Sequence, residues 1–211
     1  MMKDLVIIGA GGFGREVAWL VEAINAFDLQ WNLLGFIDDD RSKQGVILNG
    51  YPVIGTLEEL PVKSELFTVC AVGTTETKKV LVEKATAAGL RFANLIHPDA
   101  KISKFVELGF GNIICAGCII TVNILIGNHV IINLDCTVGH DTIINDYVTC
   151  APSVNISGRV VIEEGCDIGT NAAIIQGKKI GRWSIIGAGA VVSRDIPSGC
   201  TAVGVPAKPV K

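Results

Sequence analysis

From Ile96 to Val192 every sixth residue is aliphatic or close to it: Ile, Ile, Leu, four Ile, Val, Ile, Cys, six Ile, Val. A period of six matches neither the 3.6-residue helix nor the two-residue alternation of an ordinary strand. It is the signature of a parallel β-helix built from hexapeptide repeats. The residue after the aliphatic is often glycine (Gly109, Gly127, Gly139, Gly169, Gly181, Gly187). The fourth residue after it is mostly small (Ala100, Cys118, Cys136, Cys166, Ala172, Ala190). Three hexapeptides make one triangular turn, so inward side chains stack on their counterparts one coil away. Seventeen hexads give just under six coils, a prism about 27 Å long at the usual strand spacing. The glycines after the aliphatic are expected to ease the corners by supplying positive φ.

The first ninety residues follow another pattern. Apolar runs at 5–8, 34–37 and 67–72 predict strands, and the amphipathic stretches after the first and third predict helices, to about Asn25 and from about Glu76 to Ala88. Gly89 is a suitable residue to end the second helix. Strands alternating with helices imply a parallel sheet covered by helices. Pro98, which cannot continue a helix, marks the entry to the repeat array. The expected organisation is an α/β, half-Rossmann domain over 1–94 and an all-β parallel β-helix over 95–211.

Composition narrows the function classes. A net charge of −3 and a pI near 5.6 give no electrostatic case for nucleic acid or an anionic membrane surface. Mean hydropathy is high, +0.48. Yet Thr121 and Asn123 interrupt the most apolar stretch, 113–127, and a spanning helix needs about 20 apolar residues in a row. The first four residues lack the basic region of a secretory signal, so a cytoplasmic protein is expected. Four of the seven cysteines, Cys118, Cys136, Cys150 and Cys166, fall in inward columns and read as small buried hydrophobes. Cys115 and Cys118 form a lone CxxC with no second pair to complete a zinc site, and no metal is expected.

Three segments carry chemistry. Gly9-Ala10-Gly11-Gly12-Phe13-Gly14 lies between a strand and a helix, the setting of a phosphate-binding glycine loop. The array begins too early for a second mononucleotide half, which argues for one nucleotide rather than a dinucleotide. Asp38 and Asp39 end the second strand beside that loop, where a ribose-binding carboxylate would sit, and one of them is expected to contact ligand. Gly73-Thr74-Thr75 ends the third strand at the same sheet edge. In the array, Val138-Gly139-His140-Asp141 places an imidazole just past a coil corner with a carboxylate next to it. Acyl transfer to an amine or hydroxyl needs a base with pKa near neutrality, and histidine supplies one. His97, in the entry turn, and His129, in an ordinary hexad, are weaker candidates. His97, His129 and His140 are spaced too widely to resemble the close pair of a three-histidine zinc lyase on the same kind of coil.

Taken together these motifs resemble the sialic acid O-acetyltransferase-like and nucleotide-sugar N-acetyltransferase family of hexapeptide-repeat acyltransferases. The resemblance covers essentially the whole chain. It is carried by residues 7–14, Gly35-Phe36-Ile37-Asp38-Asp39, Leu95-Ile96-His97-Pro98, Val138-Gly139-His140-Asp141, and residues 187–192 running on to Gly204-Val205-Pro206-Ala207-Lys208. It implies a left-handed coil, a homotrimer with active sites between subunits, and acetyl-CoA held between adjacent coils. It further implies N-acetylation of a nucleotide-linked amino-sugar of the UDP-4-amino-sugar or GDP-perosamine type, by direct transfer. O-acetylation of sialic acid or another sugar hydroxyl is the alternative. By resemblance His140 is the general base, Asp141 its support, and Gly158 the oxyanion donor. Gly11, Gly12, Phe13, Asp38, Asp39, Gly73, Thr74 and Asn133 fall at acceptor positions, and Thr149, Gly158, Ala188 and Lys208 at acetyl-CoA positions. The chain departs from several relatives at Phe13, where they carry His, at Asp141, where some carry Glu, and at Thr149, where some carry a second His.

Overall fold

β1 (Lys3–Ile8) is the centre of the first sheet, and its residues Leu5, Val6 and Ile7 are fully buried. The computed structural model describes residues 2–60 and 65–210, in two compact units, Met1–Pro98 and Asp99–Lys211. The division falls slightly beyond the boundary read from the sequence. In the first unit α1 (Gly12–Phe27) follows β1 and buries Val17, Ala18, Leu20, Val21 and Ile24, one stripe at helical spacing. Next come β2 (Trp31–Ile37), the hairpin of β3 (Ile47–Leu48) and β4 (Tyr51–Gly55), then β5 (Leu66–Cys70), α2 (Thr75–Ala87) and β6 (Arg91–Phe92). The spatial order is β3-β4-β2-β1-β5-β6, parallel throughout except for the β3–β4 hairpin. β3 and β6, two residues each, are too short to register in the sequence pattern, and β4 carries Pro52, which reads against a strand. Ile8 pairs with Ile37 on one side and with Cys70 on the other. β1 is therefore the point where the chain reverses its direction of travel across the sheet, and the crevice beyond its carboxyl end is where open α/β sheets bind ligands.

The second unit is a parallel β-helix with three sheets. Each short strand pairs with its counterpart one coil on: Ile114 with Ile132 and, a coil further, Cys150; Ile120 with Val138 and Ile156; Ile126 with Ile144 and Ile162. The inward aliphatics from Ile114 to Val192 are almost completely buried, each worth roughly 1.5–3 kcal/mol of transfer free energy. After Val192 the strand Thr201–Val203 extends the β-helix sheet that carries Ile114, Ile132 and Cys150, and pairs antiparallel with Lys208–Pro209.

The glycine column has a different cause from the one expected. Positive φ occurs at the third position after the inward aliphatic, at Asn123, His129, Asp135, Asp141, Tyr147, Ser153, Arg159, Asn171 and Trp183 and at Gly111, Gly117, Gly165, Gly177 and Gly189. The glycines directly after the aliphatic have ordinary φ. They are needed because the coils approach too closely for a side chain: a Cβ on Gly139 would lie 2.6 Å from Gly158 N, and one on Gly169 would lie 2.6 Å from Ala188 N.

Among the described residues no cysteine forms a disulfide, and six of the seven are buried. Burial pushes the Cys70 thiol up to about 12 and the Cys166 thiol to about 11, so neither is a nucleophile at neutral pH. Among the described residues no helix is long and apolar enough to cross a membrane, and no three His, Cys, Asp or Glu side chains gather as a metal site.

Candidate acyl-transfer and nucleotide sites

In the β-helix, His140 and Asp141 occupy the second and third positions after the inward Val138. Asp141 takes the left-handed conformation (φ 58°), tolerated by short polar side chains. That turn folds its carboxylate back onto its neighbour, and Oδ2 lies 2.8 Å from His140 Nδ1. Asn123 Nδ2 donates to the other oxygen at 3.3 Å. The hydrogen bond with His140, then that from Asn123, hold the Asp141 carboxyl below the usual carboxylate range, with the charges of His140 and Arg159 adding to the effect. An ionised carboxylate only accepts, so Nδ1 carries the proton and a neutral ring offers its Nε2 lone pair. About half of each side chain is exposed, 49% for His140 and 48% for Asp141.

Gly158 lies one coil on. A Cβ there would sit 2.6 Å from His140 Cε1 and 2.9 Å from Cδ2, so the imidazole covers the Gly158 Cα face. The N–H at this corner position points away from the coil ladder. In Phe110, Asn128 and Arg182 it is satisfied by a side chain of a neighbouring coil, and in Leu134 by the adjacent Asn133. The Gly158 N–H makes no such bond to any described residue. A base and an uncommitted amide donor thus converge at one corner.

The other residues of this unit named from the sequence are spread more widely. Asn133 Oδ1 accepts the Leu134 N–H at 2.7 Å. Thr149 is buried, 7% exposed, in a strand, whereas Ala188 is exposed at a corner and Lys208 lies in the closing hairpin.

In the α/β unit a cavity of about 250 Å³ opens at the carboxyl edge of the sheet. Its walls include Ile8, Gly9, Asp38, Asp39, Leu57 and Thr77. Gly9 has φ 101°, and a Cβ on Gly14 would strike the Gly9 carbonyl oxygen, so these two glycines serve the turn and the strand–helix contact. Gly11 and Gly73 have open space where a Cβ would be, and Gly12 meets only the tip of Arg15. Gly11 caps α1 and Thr74 caps α2, neither with a side-chain hydrogen bond, so Phe13 belongs to an uncapped first helical turn. Both helix starts thus present backbone N–H groups suited to an anion.

The two aspartates have different tasks. Asp38 Oδ2 accepts the Ala10 N–H at 2.8 Å and the Lys43 ammonium at 3.0 Å, and Oδ1 accepts the Asp40 N–H at 3.0 Å. Burial would raise its pKa, but these partners outweigh it and hold the carboxyl below its ordinary value. Asp38 therefore pins the glycine loop, and Asp39 is the exposed carboxylate on the cavity wall. Leu57, Thr77 and Leu81 also line this cavity. Sequence reasoning did not find them, because they belong to segments with no motif.

A glycine-loop α/β unit carried in one chain with a hexapeptide β-helix, and a His–Asp pair over a glycine at a coil corner, define a sugar acyltransferase architecture. Residues 4–85 match the family described as the PglD N-terminal domain. The chain is 31% identical to a variant of perosamine N-acetyltransferase from Caulobacter crescentus, solved in complex with CoA and GDP-perosamine, with a TM-score of 0.89 over 100% of this chain and 98% of that one. It is 34% identical to the acetyltransferase domain of PglB from Neisseria gonorrhoeae in complex with acetyl coenzyme A, with a TM-score of 0.88 over 100% of each. Over 118 residues, 54% of the chain, it is 37% identical to UDP-N-acetylbacillosamine N-acetyltransferase of Bacillus subtilis, and the match spans about half (52%) of that relative. The chain belongs to the hexapeptide-repeat family of sugar N-acetyltransferases.

Proposed function

We propose that the protein transfers the acetyl group of acetyl-CoA to the amino group of a nucleotide-linked amino-sugar of the UDP-4-amino-sugar or GDP-perosamine type. The observation that carries this reading is the His140–Asp141 pair over Gly158, in which a carboxylate at Nδ1 favours the tautomer with its lone pair on Nε2. In the reaction the sugar nitrogen attacks the thioester carbonyl and His140 Nε2 takes the proton the nitrogen loses. The carbonyl oxygen gains the negative charge, which the Gly158 N–H stabilises. When the C–S bond breaks, the CoA sulfur leaves with that electron pair and the imidazolium returns its proton to it. No acyl-enzyme forms.

The nucleotide occupies the cavity of the α/β unit, its pyrophosphate toward Gly11, Gly12, Phe13, Gly73 and Thr74 and its ribose at Asp39. Asn133 contributes on the acceptor side, and Thr149, Ala188 and Lys208 on the acetyl-CoA side. The working form is a homotrimer in the cytoplasm with sites between subunits. The outward Leu125 and Ile143, 44% and 36% exposed on paired strands, give the β-helix an apolar face suited to self-association. The test is CoA release with acetyl-CoA and a panel of UDP- and GDP-linked amino-sugars, for the wild type and His140→Asn. Turnover with at least one amino-sugar, abolished in His140→Asn, is expected; undiminished turnover in that variant removes His140 as the base.

A further inference from the structure

Asn123, Asp141 and Arg159 stand at the same corner of three consecutive coils. All three are left-handed, with φ of 57°, 58° and 59°. The backbone locks the column: the Asp141 N–H donates to Val122 O at 3.1 Å, and the Arg159 N–H donates to His140 O at 2.7 Å. Consecutive side chains are therefore stacked along the coil axis. The Asn123 amide meets one oxygen of Asp141, and His140 takes the other. On the far side the Arg159 guanidinium is held by the Gln176 side chain, whose amide oxygen faces it once the amide is oriented to suit its neighbours.

Asn123 suits this conformation, but Arg159 is not explained by folding. An arginine in the left-handed region meets a steric penalty that glycine escapes, and exposed charges return little stability. Gly177, the next residue of this column, shows that the corner accepts glycine.

We propose that Asn123 and Arg159 are positioning residues for the acyl-transfer base: Asn123 hydrogen-bonds the Asp141 carboxylate from the coil before it, Arg159 lends it a positive charge from the coil after it, and through that carboxylate they fix the tautomer and the orientation of His140. The inference rests on the proposed role of His140. It adds to that role a three-coil column that the His–Asp pair alone does not include. The charged groups that act on Asp141 are His140, in contact with it, and Arg159, one coil on.

The experiment is a set of double-mutant cycles. Asn123→Gly keeps the backbone conformation and removes the amide, Arg159→Gln removes the charge, and Arg159→Lys restores it. Each is made alone and on Asp141→Asn, and kcat, KM and Tm are measured. The expected result is a loss of about 3- to 10-fold in kcat for Asn123→Gly and Arg159→Gln, with KM within about twofold and substantial recovery in Arg159→Lys. On Asp141→Asn neither substitution lowers kcat further. Equal fractional losses in both backgrounds, or a change confined to KM, would overturn the proposal.

A second readout needs no turnover. The Asp141 carboxyl, titrated by NMR in the free protein, is expected to have its midpoint below the ordinary 3.8, and that midpoint is expected to rise in Asn123→Gly and in Arg159→Gln. An unmoved midpoint overturns the proposal. A moved midpoint in a protein that acetylates no amino-sugar upholds the action of Asn123 and Arg159 on Asp141 and removes the assigned reaction instead.

Discussion

The His140 imidazole lies against the Cα of Gly158, close enough that a Cβ there would be 2.6 Å from Cε1. Gly158 therefore meets two demands, an amide donor for the oxyanion and a bare surface for the base. Gly158→Ala separates them, because alanine keeps the N–H and fills only the space under the ring. Its φ is not in the left-handed region, so the backbone tolerates the change. Displacement of the ring by an ångström predicts a fall of about 100-fold in kcat, with Tm within a few degrees of wild type. Steady-state kinetics beside a melting curve checks this, and near-normal kcat would mean that the ring has room to move.

Asp141→Asn tests the tautomer. An amide in place of the carboxylate can donate to Nδ1, which shifts the proton to Nε2 and removes the lone pair the reaction uses. The loss expected in kcat is about 100- to 10,000-fold, the upper end being that of a carboxylate-to-amide change in a buried triad. KM for both substrates stays close to wild type, because the carboxylate binds neither. A KM that rises while kcat holds would make Asp141 a substrate contact.

The inward ladder was legible because burial leaves a strict period in the chain, and a slip of one residue would have put an aliphatic in water. The same register made His140 an outward corner residue, which is where it lies. The role of the glycine column was not legible. Close approach between coils and positive φ both select glycine, and only the folded chain shows that the first acts at Gly139 and the second at Gly177. Asp38 and Asp39 were indistinguishable in sequence as adjacent carboxylates ending a strand. Their difference depends on Lys43 and the Ala10 amide, whose positions no local pattern encodes. Arg159 was hidden for a related reason: Asp141 lies a full coil away from it along the chain, and local motif reading does not span that distance.

Asp38 also makes a prediction about pH. Its folded pKa lies below that of the unfolded chain, so the unfolded state binds more protons in that range and stability rises with pH. The contribution is present above the unfolded value, near 3.8, and is lost as pH falls through the depressed folded value. Asp38→Asn should therefore destabilise the protein at pH 7 by about 1–3 kcal/mol, the range for hydrogen bonds to a charged group. The gap to wild type should narrow as pH approaches 3. Urea midpoints between pH 7 and pH 2.5 measure it, and a gap independent of pH would show that the carboxylate charge plays no part in holding the loop.

The two kinds of coil glycine can be told apart by alanine. At Gly169 an added Cβ would lie 2.6 Å from Ala188 N and 2.7 Å from Ile186 O, backbone atoms of the next coil that cannot rotate away. Separating the coils there breaks ladder bonds such as Gly169 N–H to Ile186 O at 2.7 Å. Gly169→Ala should cost about 3 kcal/mol, the upper part of the overpacking range. At Gly189 φ is 67° and nothing lies within 4 Å of the Cβ position. Gly189→Ala should cost only the left-handed penalty, about 1–2 kcal/mol. Gly189→Asn should cost less than Gly189→Ala, since Asn171 already adopts that conformation at the same corner one coil earlier. Denaturant midpoints for the three variants give the order directly. If Gly189→Ala proves as damaging as Gly169→Ala, the left-handed corner rather than the gap between coils is what the glycines protect.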